Sequence, residues 1–244
     1  MKMRDWAGKT YWLIGASEGL GRALAEIMSD AGADLILSAR SEERLREVAG
    51  GLSRPARILP VDVSDAENVR AVATSIGSID GVVFLAGVYW PMAATEWSAD
   101  EAETMVDVNL MGAMRVLGAT VPDMVQRNAG HIVLTGSLSG FRGLPGAIGY
   151  SASKAGIMSL AETMKSDLKR TGVEVQVVNP GFIRTRLTDK NTFNMPFIMS
   201  PEDAARVMFE HMNSRKFKRS FPTVFSWFFR ASQLMPDWLY FRIF

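Results

Sequence analysis

The sequence contains no cysteine and only two histidines among its 244 residues. It therefore has no disulfide framework, no thiolate nucleophile and no cysteine-based zinc site. Neither His131 nor His211 stands beside acidic residues at ligand spacing, so no metal site is predicted. The lack of cysteine is compatible with a reducing compartment.

A strong net charge and a long apolar run are also missing. The formal net charge is +1, which offers no broad electrostatic field for nucleic acid. No apolar run reaches the roughly 18 to 20 residues that a spanning helix needs, and the first ten residues lack the apolar core of a secretory signal. Because 48% of the residues are nevertheless hydrophobic, we expect a cytoplasmic globular protein with a large core.

Apolar runs alternate with segments of helix length through most of the chain. Strands are predicted at 10–14, 34–38, 56–61, 81–85, 131–135 and 173–178. Helices are predicted at about 19–31, 41–49, 64–75, 98–125, 150–170 and 201–213. This alternation predicts an α/β fold, a doubly wound parallel sheet of the Rossmann type with helices on both faces. We expect a single domain, 1–213, with a C-terminal extension, 214–244, that is not an independent domain.

Three glycines, Gly15, Gly19 and Gly21, lie between the first predicted strand and helix. Glycines there let the backbone approach a pyrophosphate, and the helix N-terminus favours its negative charge. At the end of the second strand, where NAD-binding sites usually carry an acid, this chain has Arg40. A guanidinium would complement a 2′-phosphate, so NADP(H) is favoured over NAD(H). Glu18 argues against this, because its carboxylate would repel the same phosphate unless it pairs with Arg40.

Tyr150 and Lys154 are four residues apart, so they share one face of a predicted helix. A neighbouring ammonium favours the phenolate and lowers a tyrosine's pKa, which suits proton exchange with an alcohol or carbonyl oxygen. Ser137 ends a strand thirteen residues upstream, where its hydroxyl could hold a substrate carbonyl. Alone, the tyrosine–lysine spacing occurs by chance on many solvated helices.

These features occur in one order along the chain, and together they resemble the short-chain dehydrogenase/reductase family, in its compact single-domain branch. The resemblance runs from about residue 10 to 185 and rests on the glycine turn, Asp62-Val63, Asn109, Ser137, Tyr150 with Lys154, and Asn179-Pro180-Gly181. It implies that Tyr150 is the acid/base, that Lys154 lowers its pKa and binds the nicotinamide ribose, that Ser137 orients the substrate, and that Asn109 holds a proton-relay water.

The resemblance also implies a set of cofactor contacts. These are Gly15, Ser17, Glu18, Gly19, Leu20, Gly21, Arg40, Asp62, Val63, Ala86, Gly87, Tyr150, Lys154, Pro180, Gly181, Ile183 and Thr185. Two positions depart from the family pattern: Ile14 replaces a threonine, and Phe84-Leu85 replaces two asparagines. We expect these apolar residues to pack together, as a different packing arrangement from that of the polar residues they replace. By analogy with the family, the chain is expected to form a homodimer or homotetramer.

The C-terminal extension carries six basic residues and one acid, and it is rich in aromatic residues. Residues 223–235 predict a helix with a narrow polar stripe and a wide apolar face. It could pack on its own subunit or a partner, cover an apolar substrate pocket, or contact an anionic membrane surface. The last two interpretations suggest a lipophilic substrate, whose pocket Phe141, Tyr89, Trp90 and Met195 would line. This end also differs from the many family members that finish with a strand and a short glycine-rich tail.

The favoured function is interconversion of a carbonyl and an alcohol by hydride transfer, as an NADPH-dependent reductase of a lipophilic ketone or aldehyde. A catalytically silent nucleotide sensor or scaffold on the same fold is the alternative. Such relatives typically lose the tyrosine or the lysine, which this chain keeps. An isomerase or dehydratase that uses transient hydride transfer is disfavoured by the short chain.

Overall fold

The computed structural model describes residues 4–191 and 193–243. The strands are β1 (Thr10–Ile14), β2 (Asp34–Ser38), β3 (Arg57–Ile58), β4 (Gly81–Phe84), β5 (Gly130–Thr135), β6 (Val173–Pro180) and β7 (Lys218–Phe221). The helices are α1 (Gly19–Asp30), α2 (Glu42–Gly50), α3 (Ala66–Ile76), α4 (Ala99–Val106), α5 (Gly112–Gln126), α6 (Ile148–Asp167), α7 (Pro201–Met212), α8 (Thr223–Ser232) and α9 (Asp237–Ile243).

Over the described residues, the strands form one seven-stranded sheet in the order β3-β2-β1-β4-β5-β6-β7. Every neighbouring pair is parallel. The strand order reverses between β1 and β4, and in open parallel sheets a ligand crevice lies at this point, beyond the carboxyl ends of the strands. The predicted doubly wound α/β fold is therefore confirmed.

The sheet is buried on both faces, which explains its continuous apolar strands. On one face, Leu13 of β1 packs with Met28 of α1 and Met208 of α7. On the other face, Trp12 of β1 packs with Val116 of α5, in a cluster that also holds residues of α3 and α6. Alternate residues of one strand thus pack into the two hydrophobic cores, one on each face of the sheet.

The structure differs from the sequence prediction at two internal elements. The helix predicted over 98–125 is divided, because a π-helical segment, Asp107–Met111, separates α4 from α5. The strand predicted over 56–61 is limited to Arg57–Ile58, and the chain continues as a loop that bonds to β2 at intervals.

A larger difference lies at the C-terminal end. Residues Lys218–Phe221 form β7, which pairs with β6 and completes the sheet. The expectation that this end lacks a final strand is wrong, and β7 lies within 214–244, the range predicted to be an extension of the domain. The part that lies outside the sheet is α8 and α9, called here the C-terminal helices. No helix in the described part of the chain is both long and apolar enough to cross a membrane.

Candidate active site

A cleft of about 620 Å³ opens where the strand order reverses. It is lined by every residue that was predicted to contact the cofactor: Gly15, Ser17, Glu18, Gly19, Leu20, Gly21, Arg40, Asp62, Val63, Ala86, Gly87, Tyr150, Lys154, Pro180, Gly181, Ile183 and Thr185. Side chains far apart in sequence are therefore brought to one surface. Their binding roles stay predictions.

The glycine turn has no room for side chains. A Cβ on Gly21 would lie 2.0 Å from the carbonyl oxygen of Gly15, so α1 could not begin so close to β1 with any other residue. Gly19 adopts a φ of +52°, a left-handed conformation that favours glycine. The turn therefore brings the N-terminus of α1 directly to the cleft, as a phosphate site requires.

Glu18 is held by arginines that the sequence analysis did not single out. Its carboxylate accepts from Arg44 Nη1 at 3.3 Å and also pairs with Arg186. The suggested pair with Arg40 does not form, and Arg40 has no ion pair with any residue that the structure describes. Glu18 is thus neutralised by other cations, while Arg40 stays exposed at the cleft. Arg44 and Arg186 were missed because they lie 26 and 168 residues from Glu18 in sequence.

Asp62 lies beside Arg40 at this end of the cleft. Its carboxylate accepts hydrogen bonds from the backbone N–H and the hydroxyl of Ser64. Burial by itself would raise the pKa of Asp62, but the bonds from Ser64 and the charge of Arg40 outweigh it and lower the pKa. Asp62 is therefore ionised at neutral pH and adds one negative charge next to Arg40.

At the other end of the cleft, Tyr150 lies in the first turn of α6 and Lys154 one turn later. Lys154 is 4% exposed, and its Nζ donates to the Thr135 carbonyl at 2.9 Å. The same Nζ lies 5.6 Å from the centroid of the Tyr150 ring. The predicted juxtaposition of phenol and ammonium is thus present.

The effect on the pKa of Tyr150 differs from the prediction. Burial raises it to about 12, and the interaction with the side chain of Ser137 only partly opposes this. Burial also lowers the pKa of Lys154 to about 8, since few polar groups replace the water around its ammonium. Desolvation therefore decides the direction in which the pKa of each group shifts. At neutral pH the tyrosine is a protonated phenol and the lysine is mostly charged.

Ser137 caps a short 3₁₀ turn, Leu138–Gly140, directly after β5. Its Oγ accepts from the Ser139 hydroxyl at 3.0 Å and from the Ser139 backbone N–H at 3.2 Å. Because Ser137 Oγ accepts both bonds, its own proton is left for Tyr150 or a substrate oxygen. Ser139 was not predicted, because nothing in the pattern distinguishes it from an ordinary loop serine.

Asn109 is fully buried in the π-helical segment. Its Oδ1 accepts from the Val88 N–H at 2.7 Å, and its Nδ2 donates to the Val88 carbonyl at 3.0 Å and to Ser153 Oγ at 3.1 Å. The side chain therefore fixes the loop after β4 to α6. A Cβ on Gly87 would meet both Asn109 Oδ1 at 3.3 Å and Lys154 Nζ at 3.7 Å, which places these groups around one backbone position.

The two departures from the family pattern prove to be neighbours. Ile14 and Phe84 are paired in register on β1 and β4, and both lie in the same core cluster. Each is 1% exposed. Ile14 and Phe84 thus pack together in the core, as expected, while Leu85 is partly buried against the cluster on the other face of the sheet.

The residues grouped as a substrate pocket are not brought together at the cleft. Tyr89 packs edge-on against Tyr150 at 5.0 Å between ring centroids, and Trp90 lies under Lys190. Phe141 instead lies near Lys218, on the side of the C-terminal helices. Phe225 of α8 does reach the cleft wall, because a Cβ on Gly181 would lie 3.3 Å from its ring.

Comparisons with known proteins agree with this geometry. The family model "short chain dehydrogenase" matches residues 9–195. An uncharacterized oxidoreductase of Myxococcus xanthus is 35% identical over 98% of this chain and 97% of its own length. A solved short-chain dehydrogenase/reductase family protein is 25% identical, covers 89% of this chain and 97% of its own, and superimposes with a TM-score of 0.82.

An alcohol dehydrogenase from the archaeon Thermococcus sibiricus, solved in complex with 5-hydroxy-NADP, is also 25% identical. The match covers 87% of this chain and 95% of that one, with a TM-score of 0.79. Sequence, fold and similarity lead to the same assignment: the chain is an oxidoreductase that belongs to the short-chain dehydrogenase/reductase family.

Proposed function

We propose that the enzyme is an NADPH-dependent reductase of a lipophilic ketone or aldehyde. The observation that carries this proposal is the position of Tyr150 at the cleft, with Lys154 Nζ 5.6 Å from its ring centroid and Ser137 beside it. A reductase needs a proton donor at the oxygen that becomes the alcohol, and a phenol whose pKa is about 12 still holds its proton at neutral pH.

The cleft fits a dinucleotide. The close-packed glycine turn brings the N-terminus of α1 to the cleft, and Thr135, which lines the opposite end, has a buried hydroxyl with no hydrogen-bond partner among the described residues. The turn from Gly15 to Gly21 would hold the pyrophosphate, and Lys154 and Thr185 would lie along the nicotinamide half. When bound, the cofactor supplies or accepts a hydride.

The protein's own groups handle the oxygen of the substrate. Ser137 donates a hydrogen bond to the carbonyl oxygen and fixes its position, since Ser139 already occupies the acceptor side of the Ser137 hydroxyl. Tyr150 then gives its proton to the developing alkoxide, and the charge of Lys154 stabilises the phenolate left behind. Alcohol oxidation reverses these steps.

Replacing Tyr150 with Phe tests the catalytic role. We expect kcat to fall by roughly 10²- to 10⁴-fold, because the proton donor is lost while the ring and its packing remain. The measurement is NADPH consumption over a panel of ketones, aldehydes and sterols, with NADPH titration by fluorescence to confirm that cofactor binding persists. Turnover equal to that of the wild type would contradict the proposal and favour the silent nucleotide sensor.

Arg40 carries the preference for NADPH. It is exposed at the cleft beside Asp62 and forms no ion pair with any described residue, while Arg44 and Arg186 compensate Glu18. The NADP-type ligand of the Thermococcus sibiricus enzyme supports the same preference by similarity.

We expect Arg40→Gln to weaken NADPH binding by about tenfold or more and to leave NADH binding nearly unchanged, since only NADPH carries the 2′-phosphate. Arg46→Gln is the matched control, because Arg46 lies on α2 outside the cleft and pairs with Glu42. Equal losses for both cofactors would contradict the assignment. Homodimer or homotetramer assembly and a cytoplasmic location stay predictions.

A further inference from the structure

In α8, two serines face the protein and large apolar residues face the solvent, the opposite of an ordinary surface helix. Its inner face carries Ser226, Phe229 and Ser232, which are buried, and both serines donate to carbonyls of their own helix. Its outer face carries Val224 and Trp227, which are 69% and 64% exposed. Water therefore meets the apolar side of the helix, although serines were available for that side.

The outer face continues beyond α8. Leu234 in the following turn is 88% exposed, and Trp238 and Phe241 of α9 are 70% and 73% exposed. α9 is held by its opposite side, where Tyr240 is buried and donates to the Gly143 carbonyl. Both helices are thus fixed to the protein by one side and present large apolar side chains on the other, in the manner of a membrane-surface helix.

Cations border this apolar surface. Arg230 is three residues after Trp227 and Arg242 four residues after Trp238, so each arginine neighbours an exposed tryptophan on its helix. Neither arginine has an ion pair with any described residue, whereas Asp237, the acid of this segment, is paired with Arg142. Among the described residues, the surface thus combines apolar rings and arginines with no uncompensated carboxylate.

This charge pattern indicates what binds to the apolar surface of α8 and α9. A second copy docked through the same face would place arginines opposite arginines, with no acid on the face to separate them. Anionic phospholipid headgroups would pair with the arginines while the rings enter the interface between headgroups and acyl chains. We propose that the outer face of α8 and α9 docks the enzyme peripherally on a bilayer containing anionic phospholipids. This inference is independent of the proposed reaction.

The test uses the intact chain, because a chain ending at Lys216 would lose β7 along with the helices. Co-sedimentation is measured with vesicles of phosphatidylcholine alone and with added phosphatidylserine. We expect binding to the mixed vesicles, its abolition by Trp227→Ser/Trp238→Ser/Phe241→Ser, and roughly thirtyfold weaker binding for Arg230→Gln/Arg242→Gln. Salt should weaken binding of the wild type.

The control is Trp97→Ser, which removes a tryptophan that is 61% exposed but outside the C-terminal helices, and it should bind as the wild type does. Circular dichroism and sedimentation velocity establish that each variant is folded and report its oligomeric state. Absence of vesicle binding would overturn the proposal. So would vesicle binding that survives the triple substitution, or an oligomer that the triple substitution dissociates while vesicle binding is absent.

Discussion

Lys154 is a charged group almost without water around it, and this has a cost for stability. Its pKa falls from 10.5 to about 8, because burial disfavours the ammonium. Below pH 8 the lysine is charged in both the folded and the unfolded states, and its burial opposes folding by about 3 kcal/mol. Between pH 8 and 10.5 the folded protein has released the proton that the unfolded chain still holds, so this penalty disappears as the pH rises.

We therefore expect Lys154→Met to inactivate the enzyme and yet raise its free energy of unfolding at pH 7. The gain should be about 1 to 3 kcal/mol, because loss of the bond to the Thr135 carbonyl offsets part of the relieved desolvation. Urea unfolding of both proteins from pH 7 to 10 measures the difference, which should shrink above pH 8. A variant less stable than the wild type at pH 7 would show that the ammonium is well solvated in the folded state.

The absence of a side chain at Gly81 of β4 allows a contact between β1 and β5, which are not neighbours in the sheet. Tyr11 on β1 reaches across β4 and donates to His131 Nδ1 on β5 at 2.9 Å, and His131 Nε2 lies 2.8 Å from Gln176 Oε1 on β6. The two N–H groups of the Gln176 amide are shared among three carbonyls at the end of α7 and before β7, which leaves the Gln176 oxygen to accept from His131. This network fixes the histidine tautomer and links three strands and a helix, and burial lowers the pKa of His131 to about 3.

A methyl group at position 81 would break this arrangement. A Cβ there would lie 2.2 Å from Tyr11 Cε1 and 2.8 Å from the His131 carbonyl oxygen. We expect Gly81→Ala to destabilise the protein by about 3 kcal/mol. Gly118→Ala is the matched control: Gly118 is exposed on α5 with nothing within 4 Å of its added Cβ, so alanine should stabilise by about 0.5 to 1 kcal/mol. Urea midpoints measure both, and similar shifts would refute the argument.

The elements that the sequence predicted well are those whose pattern is local. β1, β2 and β5 are apolar runs between turns, and their bounds agree with the prediction to within one residue. β7 was missed because Lys218-Arg219-Ser220 does not read as a buried strand, and it forms only because β6 offers an open edge. The π-helical segment was missed because it depends on the contacts of Asn109 with distant residues rather than on the residues within the helix.

The same distinction applies to the site. The residues predicted to contact the cofactor follow from strand ends and glycine spacing, which can be recognised in the sequence alone. The partners of Glu18 and the bond from Ser139 to Ser137 depend on how loops meet in space. The pKa of Tyr150 was predicted in the wrong direction, because spacing shows a neighbouring charge but does not show how far desolvation disfavours the phenolate.

Across the whole molecule, Arg142 joins the C-terminal helices to the loop between Ser137 and Tyr150. Its Nη1 donates to the Ser232 and Met235 carbonyls at 2.5 and 2.8 Å, and its Nη2 pairs with Asp237 at 2.6 Å. The guanidinium also stacks on Tyr240, 3.9 Å from the ring centroid. The catalytic loop and the two helices therefore hold each other in place.

We expect Arg142→Met to leave the sheet folded but to make both the loop between Ser137 and Tyr150 and the C-terminal helices more mobile. Amide hydrogen exchange should quicken in 138–147 and in 223–243 together, because two carbonyls lose their donor, and the KM for substrate should rise several-fold more than kcat falls. Arg46→Met, on exposed α2, is the control and should change neither segment. Faster exchange in the helices alone would show that the loop is held by other contacts.

The position of β7 has a consequence for how the protein is made. β7 follows β6 in the chain, so during translation β6 stays an open edge until residue 221 has left the ribosome. A bare, valine-rich parallel strand is a template for aggregation, and a nascent chain depends on chaperones until that edge is covered. Nonsense mutations between Thr188 and Lys218 should therefore yield insoluble protein, even though every residue of the cleft has already been synthesised.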